Sequence, residues 1–236
     1  MATNRLRHLA AVLAALVALA VTAAPAWATS VRVEGPRGTV FQGPVQPFVG
    51  ALKDTDGASH TTAKTTALGA LVTASRSKPF SVGLAWSDAF GGGWNGFYLT
   101  SVNRITPPVT AFWAVKVGQT LTDVGLGAAP VTARSRVLVY YTTFDPVTFA
   151  TKPTLGIAAS RRIEAGSELL VRVNRYDDAG TGTPAAGAWV WVNGVGVRAN
   201  AAGVARVRLQ HTGLHRVQAT LEGAIRSKRL WVQATS

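Results

Sequence analysis

The chain has 236 residues, of which 24 are lysine or arginine and 11 aspartate or glutamate, giving a formal net charge of +13. It contains no cysteine, which excludes disulfide bonds, thiol catalysis and cysteine-based metal sites. The excess of positive charge favours acidic partners such as anionic envelope polymers or nucleic acid, and a solvated arginine-rich surface is the alternative.

The amino-terminal segment is typical of a secretion signal. Two arginines precede an uncharged apolar run from Leu9 to Ala24, and Ala26-Trp27-Ala28 places small residues where a signal peptidase cuts. The run is shorter than the roughly 20 residues that span a bilayer. We therefore predict a signal peptide over residues 1–28, cleaved after Ala28, and a protein that is secreted or held at the cell surface. An uncleaved anchor is the alternative.

The following segment, 29–148, mixes short strands with one helix. The alternation of Val31 to Glu34 predicts a strand, and Thr39 to Phe48 predicts another. In Thr62 to Ser75 the apolar residues recur at intervals of three and four, which predicts a helix with one stripe facing a sheet. Further strands are predicted at Phe80 to Trp86, Gly96 to Val102, Ala111 to Val117 and Ser135 to Tyr141. We expect an α+β domain, with one helix on a small mixed sheet.

Between two of these strands, Gly91, Gly93 and Gly96 have the spacing of a nucleotide-binding loop. Such a loop needs a helix after it, because the helix N-terminus supplies amide donors to the pyrophosphate. Here Gly96 leads into Phe97 to Val102, whose aromatic and β-branched residues predict a strand. We therefore predict a turn between strands at this position.

The second segment, 149–236, is predicted to be all β. Pro146 and Pro153 flank a polar stretch that marks the boundary between the two segments. About seven short strands follow, separated by Gly, Asn and Thr turns, and Asn193-Gly194 is a strong hairpin signal. This pattern predicts an antiparallel β-sandwich.

In the first segment, the order of motifs over residues 31–145 resembles the C-terminal domain of transcobalamin and intrinsic factor, in the bacterial form of unknown function. The shared parts are the helix start at Thr66 to Leu71, "GFYLTSVN", "FWAVKVG", "VGLGAAPV" and the closing strand "SRVLVYY". The family usually has Asn-Gly after the tryptophan strand, where this chain has Val117-Gly118. In the animal carriers this domain closes over one face of cobalamin.

This resemblance implies a ligand-binding face at Trp113 and at a cluster of Trp86, Trp94 and Tyr98. Flat rings bury a large area on a corrin, a sugar or another apolar surface at low entropy cost. For Trp113 the alternative is a core position, because it alternates with Phe112 across a strand. Cobalamin is implied by the resemblance only, with His60 as a candidate cobalt ligand; a solvated loop histidine is the alternative.

Residues 152–235 resemble a bacterial immunoglobulin-like domain. The resemblance is carried by the stretch Gly187 to Ala234, in which Asn193-Gly194 turns a hairpin and Asn200 to Gly203 stands where relatives have an Asp-Ala-Asn-Gly turn. Arg226-Ser227 precedes the last strand.

Alternation within this segment predicts two outer surfaces. If Ala188, Val190 and Val192 point inward, Trp189 and Trp191 share the outer face, and a pair of exposed tryptophans indicates an interface with the first domain or with a partner. The same period turns four arginines outward to form a basic face, with a plain solvated surface as the alternative: Arg172, Arg198, Arg206 and Arg208.

Motifs for catalysis and for metal binding are missing from the sequence. His60, His211 and His215 belong to no metal-binding array, and no G-x-S-x-G elbow or spaced pair of carboxylates is found. We predict no enzyme, no metal site and no specific nucleic-acid binding. The predicted function is a secreted or envelope protein that captures a small apolar or corrinoid-like ligand. The alternative is a structural or adhesive protein that binds anionic cell-wall polymer through the basic face.

Overall fold

A computed structural model describes residues 28–62, 65–90 and 94–236. The predicted signal peptide up to residue 27, and Gly91 and Gly93 of the glycine cluster, lie outside these ranges. The described chain is mostly β-strand with a single helix, α1, at Ala67–Ser77. The largely β character predicted from the sequence is therefore confirmed, while the identity of the amino-terminal module stays a prediction.

The strands of the first segment are β1 Thr29–Glu34, β2 Thr39–Val45, β3 Gly50–Lys53, β4 Ser59–Thr62, β5 Val82–Phe90, β6 Trp94–Val102, β7 Ala111–Val117, β8 Thr120–Leu121 and β9 Arg136–Thr143. Those of the second are β10 Thr154–Ala158, β11 Arg162–Glu164, β12 Glu168–Tyr176, β13 Gly182–Pro184, β14 Trp189–Val192, β15 Val195–Arg198, β16 Val204–Arg208, β17 Gly213–Thr220 and β18 Leu230–Thr235.

The first sheet has the strand order β2-β1-β9-β7-β8 and is mixed, because β1 and β9 run parallel. One face carries Val31, Val33 and Val139, which are fully buried against α1. The helix begins later than its apolar pattern predicts because Thr62 still belongs to β4 and Thr66 caps the first turn, its hydroxyl accepting from the Gly69 N–H at 3.3 Å.

Two hairpins, β3–β4 and β5–β6, complete the first segment. The stretch after Gly96 is extended and pairs antiparallel with β5, as its residue types predict. The strand also places Tyr98 opposite Ala85 and Phe97 opposite Trp86. The ring of Tyr98 therefore lies on one face of the hairpin, and the rings of Phe97 and Trp86 lie on the other.

The second segment forms two facing sheets. In the second sheet β12 pairs with β10, β13 and β16, and the third sheet has the order β11-β18-β17-β14-β15. Buried side chains such as Leu169, Val171, Val190, Val217 and Val232 fill the space between them. Both residues of the predicted hairpin turn have positive φ, 48° at Asn193 and 98° at Gly194.

The sandwich differs from its prediction in two respects. Strands β11 and β13, of three residues each, were not predicted, since a run this short shows no alternation. In addition, β11 pairs with β18 in parallel, so the sandwich is not wholly antiparallel.

Candidate functional site

Trp113, the central residue of the predicted aromatic face, lies in the core. Its side chain is 7% exposed, its Nε1 donates to the Ile105 carbonyl at 3.2 Å, and its ring meets Tyr141 edge-on. Because Trp113 alternates with Phe112 along the strand, a core position was the alternative to a ligand-binding role, and the ring lies in the core. Little of the ring is left for a ligand to contact.

The other predicted ligand residues do not form one cluster. Trp86 stacks on His60 with ring centroids 3.8 Å apart and 7° between their planes, and its Nε1 donates to Asp88 Oδ1 at 2.7 Å. Tyr98 is 43% exposed on the opposite face of the hairpin, because successive strand residues point to opposite sides. The side chain of Trp94 lies outside the described residues.

His60 is not the solvated loop residue that the sequence offered as the alternative to a cobalt ligand. It belongs to β4, and its Nε2 lies 3.0 Å from Asp54 Oδ2 while its ring is covered by Trp86. Burial raises the pKa of the Asp54 carboxyl, but its hydrogen bond with His60 and those it accepts from the Ala58 and Asp56 amides outweigh this, so its pKa lies below its usual value. In the described part of the chain, no group of three or more His, Asp or Glu side chains is placed to hold a metal ion.

The predicted basic face is divided between two sheets. Arg172, Arg206 and Arg208 point outward from the second sheet, on β12 and β16. Arg198 lies on β15 in the third sheet, with its guanidinium 5.4 Å from the Trp189 ring. The prediction that all four arginines share a face is wrong, because the Asn200 to Gly203 turn carries the chain from one sheet to the other.

A cleft of about 290 Å³ lies between the first sheet and the second sheet. On the first sheet it is lined by the face that points away from α1, where Ser30, Arg32 and Arg136 share one side of β1 and β9. The opposite wall is formed by Arg172, Asn174 and Tyr176 of β12, with bare backbone at Gly156. The loop before β18 adds Lys228.

Glycine shapes this second wall. A Cβ on Gly156 would stand 2.5 Å from the Tyr176 ring, and one on Gly182 would stand 2.7 Å from it. Because neither neighbour carries a side chain, the ring lies flat across the sheet. The wall of the cleft is therefore formed by a fixed ring and open backbone.

The cleft is strongly cationic. Arg32, Arg136, Arg172 and Lys228 line it, and none of the lining residues in the described ranges is acidic. The nearest buried carboxylate is Glu34, which is 1% exposed and lies 3.8 Å from Arg32 and 3.3 Å from Arg226. This carboxylate therefore pairs with one arginine of the lining, Arg32, and with Arg226 outside it, while Arg136, Arg172 and Lys228 have no counter-charge among the lining residues.

Burial and like charges act together on Lys228. Burial lowers the pKa of its ammonium group, and Arg136, Arg161 and Arg32 lower it further. The pKa of Arg32 is also lowered, first by burial, although Glu34 opposes the effect. Groups arranged in this way favour a bound anion, which would stabilise their charged forms.

Contacts at several points hold the walls together. Lys116 of β7 is fully buried, and its Nζ donates to the Asp177 carbonyl at 2.5 Å and lies 3.5 Å from Asp178 Oδ1. Asp178 also accepts from the amide and hydroxyl of Thr151. At the edge of the sheet, the Gln42 amide donates to the Arg229 carbonyl at 2.9 Å and accepts from the Arg229 N–H at 2.7 Å.

No protein-family model matches this sequence, and no curated protein matches it either. Within the described ranges, the helix is too short to cross a membrane.

Sequence reasoning found only one cationic residue of the cleft, Arg172. Arg32, Arg136 and Lys228 are distant along the chain and meet only through the parallel pairing of β1 with β9 and the approach of the second segment. A usable signal was present in β1, where Arg32 stands between Val31 and Val33. A charged residue that alternates with buried valines marks the second face of the strand.

Proposed function

We propose that this chain is an exported, non-catalytic binding protein of the cell envelope that holds acidic groups of an envelope polymer in the cationic cleft. The observation that carries the proposal is the group of four cations, Arg32, Arg136, Arg172 and Lys228, in a lining of described residues without a carboxylate. The proposal includes the signal peptide over 1–28, a transcobalamin-like module over 29–148 and an immunoglobulin-like sandwich over 149–236.

Cations with too few counter-charges destabilise the folded protein in a partly dry cleft, and of these four only Arg32 has a carboxylate of the described residues within 4 Å, Glu34 at 3.8 Å. Each charge loses solvation and repels its neighbours, and Lys228 experiences both effects. An anion of the right size supplies the missing counter-charge, and its hydrogen bonds to guanidinium groups are charge-assisted. The neutral donors nearby, Gln119 and Asn174, extend this lining.

The shape of the site favours a chain over a compact ligand. Arg172 and Ala158 line both the cleft and a second hollow on the outer face of the second sheet, which continues to Arg206. An extended polymer that enters the cleft therefore meets further cationic side chains as it leaves. Arg206 is partly neutralised by Glu168, 2.5 Å away, so we expect the cleft to dominate binding.

Capture of an apolar or corrinoid-like ligand, the other function that the sequence suggests, has less support. It relies on Trp113, which is buried, and on Trp86, which is stacked on His60. Tyr98 remains exposed beside an apolar groove of about 220 Å³ whose lining also includes Phe112 and the small accessible part of Trp113. No cation of the cleft lines this groove.

The experiment uses the chain without residues 1–28 and measures sedimentation with isolated bacterial cell walls. Binding at low salt should be lost in 1 M NaCl, where the Debye length is about 3 Å. Sodium tripolyphosphate should compete for the site and should bind the free protein in a calorimetric titration. Citrate in a parallel titration distinguishes phosphate from carboxylate recognition.

The matched variants carry the same loss of charge at different places. Arg136→Gln combined with Arg172→Gln should weaken tripolyphosphate binding at least tenfold, whereas Arg37→Gln combined with Arg104→Gln, at two exposed arginines of the β1–β2 and β6–β7 connections, should leave it within about twofold. Wall binding that persists in 1 M NaCl, or equal loss in both variants, would show that the cleft is not the site.

A further inference from the structure

The outer face of the third sheet carries three partly exposed tryptophans. Trp189 and Trp191 of β14 are 40% and 39% exposed, and Trp231 of β18 is 46% exposed. Because these values include the whole described chain, the first segment does not cover the pair as the sequence suggested. Exposed indole rings grouped on one rigid sheet are typical of a binding surface.

From these rings and the charges around them, we propose that this face, defined by Trp189, Trp191 and Trp231, is a second binding surface and that it takes an acidic polysaccharide. The face is referred to below as the tryptophan face. It lies on a different sheet from Arg172 and the cleft, so it is independent of the proposed function of the cleft.

The positions of the first two rings are fixed by their neighbours. Their centroids are 5.8 Å apart with 28° between the planes, and Trp191 Nε1 donates to Thr220 Oγ1 at 2.8 Å. A Cβ on Gly196 would lie 2.9 Å from the Trp191 ring and 3.1 Å from the Trp189 ring. The bare backbone of β15 therefore lets both rings lie low over the sheet, which gives a flat and pre-ordered surface.

The third ring extends this surface diagonally. Trp191 pairs with Gln218, and Trp231 pairs with Arg216 two residues along β17. Strand spacings of about 4.8 Å and a rise of about 3.4 Å per residue put the Cα atoms of Trp191 and Trp231 roughly 12 Å apart. That separation suits two sugar rings of one chain, each stacked on an indole.

The side chains between and around the rings favour a polar, negatively charged ligand. Gln218 and Arg216 lie between Trp191 and Trp231, and Arg198 lies over Trp189. The charged residues that the strands of this face turn outward are Arg162, Arg198 and Arg216, against Glu164. A pyranose with a carboxylate combines an apolar ring face with hydroxyl and acidic groups, and so complements both the indoles and the guanidinium groups.

A polysaccharide is favoured over single-stranded nucleic acid by the packing of the rings. Nucleic-acid binders stack bases on separate aromatic faces, whereas here the Trp189 and Trp191 rings are tilted by only 28° with centroids 5.8 Å apart, too far for face-to-face contact, and both lie low over Gly196. The two rings therefore offer one continuous surface. Nucleic acid is retained below as an outcome of the test.

The test is affinity gel electrophoresis with polygalacturonate, using neutral dextran and oligo(dT) as comparison probes. The protein carries Arg136→Gln and Arg172→Gln, so that the cleft contributes little. Retardation by polygalacturonate should exceed that by dextran or oligo(dT). Trp189→Ala with Trp191→Ala should weaken it at least tenfold, and Trp231→Ala severalfold.

Two controls separate binding from folding. Trp191→Phe keeps a flat ring and should retain most of the binding. Val109→Ala removes part of an exposed apolar side chain from the β6–β7 connection and should retain all of it. Equal retardation by dextran, stronger retardation by oligo(dT), or full binding by the double tryptophan variant would overturn the proposal. Tripolyphosphate binding by the protein with an intact cleft is measured beside these, so failure of one site leaves the other testable.

Discussion

Lys228→Gln tests the cleft most sharply, because the proposed function and a purely structural role predict opposite results. The folded protein lowers the pKa of Lys228 through burial and through repulsion by neighbouring arginines. A lysine whose folded pKa lies below its ordinary value of 10.5 destabilises the fold while it is charged, and stability rises as pH passes from the folded pKa toward 10.5. Replacement by neutral glutamine removes that cost at pH 7.

The expected magnitudes follow from the partial burial of Lys228. Removing an exposed charge partner costs about 0.2–1 kcal/mol, and removing one from a buried pair costs about 2–5 kcal/mol. For a half-buried cation we expect about 1.5 kcal/mol, or roughly a tenfold rise in the Kd for tripolyphosphate. The melting temperature of the free protein should be unchanged or raised by up to about 3 °C.

The assay pairs calorimetric titration of tripolyphosphate at pH 7 with thermal unfolding of the free protein at pH 7 and across the alkaline range. Between the folded pKa of Lys228 and 10.5, the wild type should gain stability relative to Lys228→Gln. A variant that melts several degrees lower and binds tripolyphosphate as the wild type does would assign Lys228 a structural role. Such a result would rule out Lys228 as part of an anion-binding site.

Three further substitutions test the surrounding structure by urea unfolding. Asp178→Asn should cost about 3 kcal/mol, because it leaves the fully buried Lys116 without its ionic partner; a cost below about 1 kcal/mol would contradict this account. Gly69→Ala should cost at least about 3 kcal/mol, since its Cβ would lie 2.1 Å from the Phe48 carbonyl oxygen. An unchanged urea midpoint would show that α1 does not pack this closely against Phe48. Gly196→Ala should cost about 1 kcal/mol and alter the tryptophan emission, because its Cβ would meet two indole rings. Gly38→Ala, whose Cβ would have a single contact at 3.7 Å and whose φ is not positive, should leave the emission unchanged.

Residue types and alternation predicted the local structure well. The strand after Gly96 and the inward positions of Ala188, Val190 and Val192 agree with the structure, because a side-chain period of two is a property of the strand itself. Alternation does not say which sheet a strand joins. Arg198 and Arg206 both point outward, but their strands pair with different partners, β14 and β12.

The cleft was beyond prediction for the same reason. Its cations come from β1, β9, β12 and the loop before β18, and their proximity depends on one long-range parallel pairing and on the packing of two segments. Alternation offered a core position for Trp113 as one of two alternatives. It could not choose between the core and a ligand-binding face, because the two differ only in what covers the ring. Tertiary packing decides that question.

The contacts that join the walls indicate that the cleft is formed before any ligand arrives. Lys116 donates to the Asp177 carbonyl and the Tyr140 hydroxyl pairs with that of Thr151 across the boundary, while Asp178 accepts from Thr151 on the far side, and such a network is costly to open. A preformed site avoids the ordering cost that a flexible one must meet on binding. Asp178→Asn should therefore weaken tripolyphosphate binding as well as stability, even though Asp178 does not line the cleft. If affinity were unchanged in this variant, the geometry of the cleft would have to be maintained by the other contacts between its walls, such as Gln42–Arg229 and the Glu34–Arg226 ion pair.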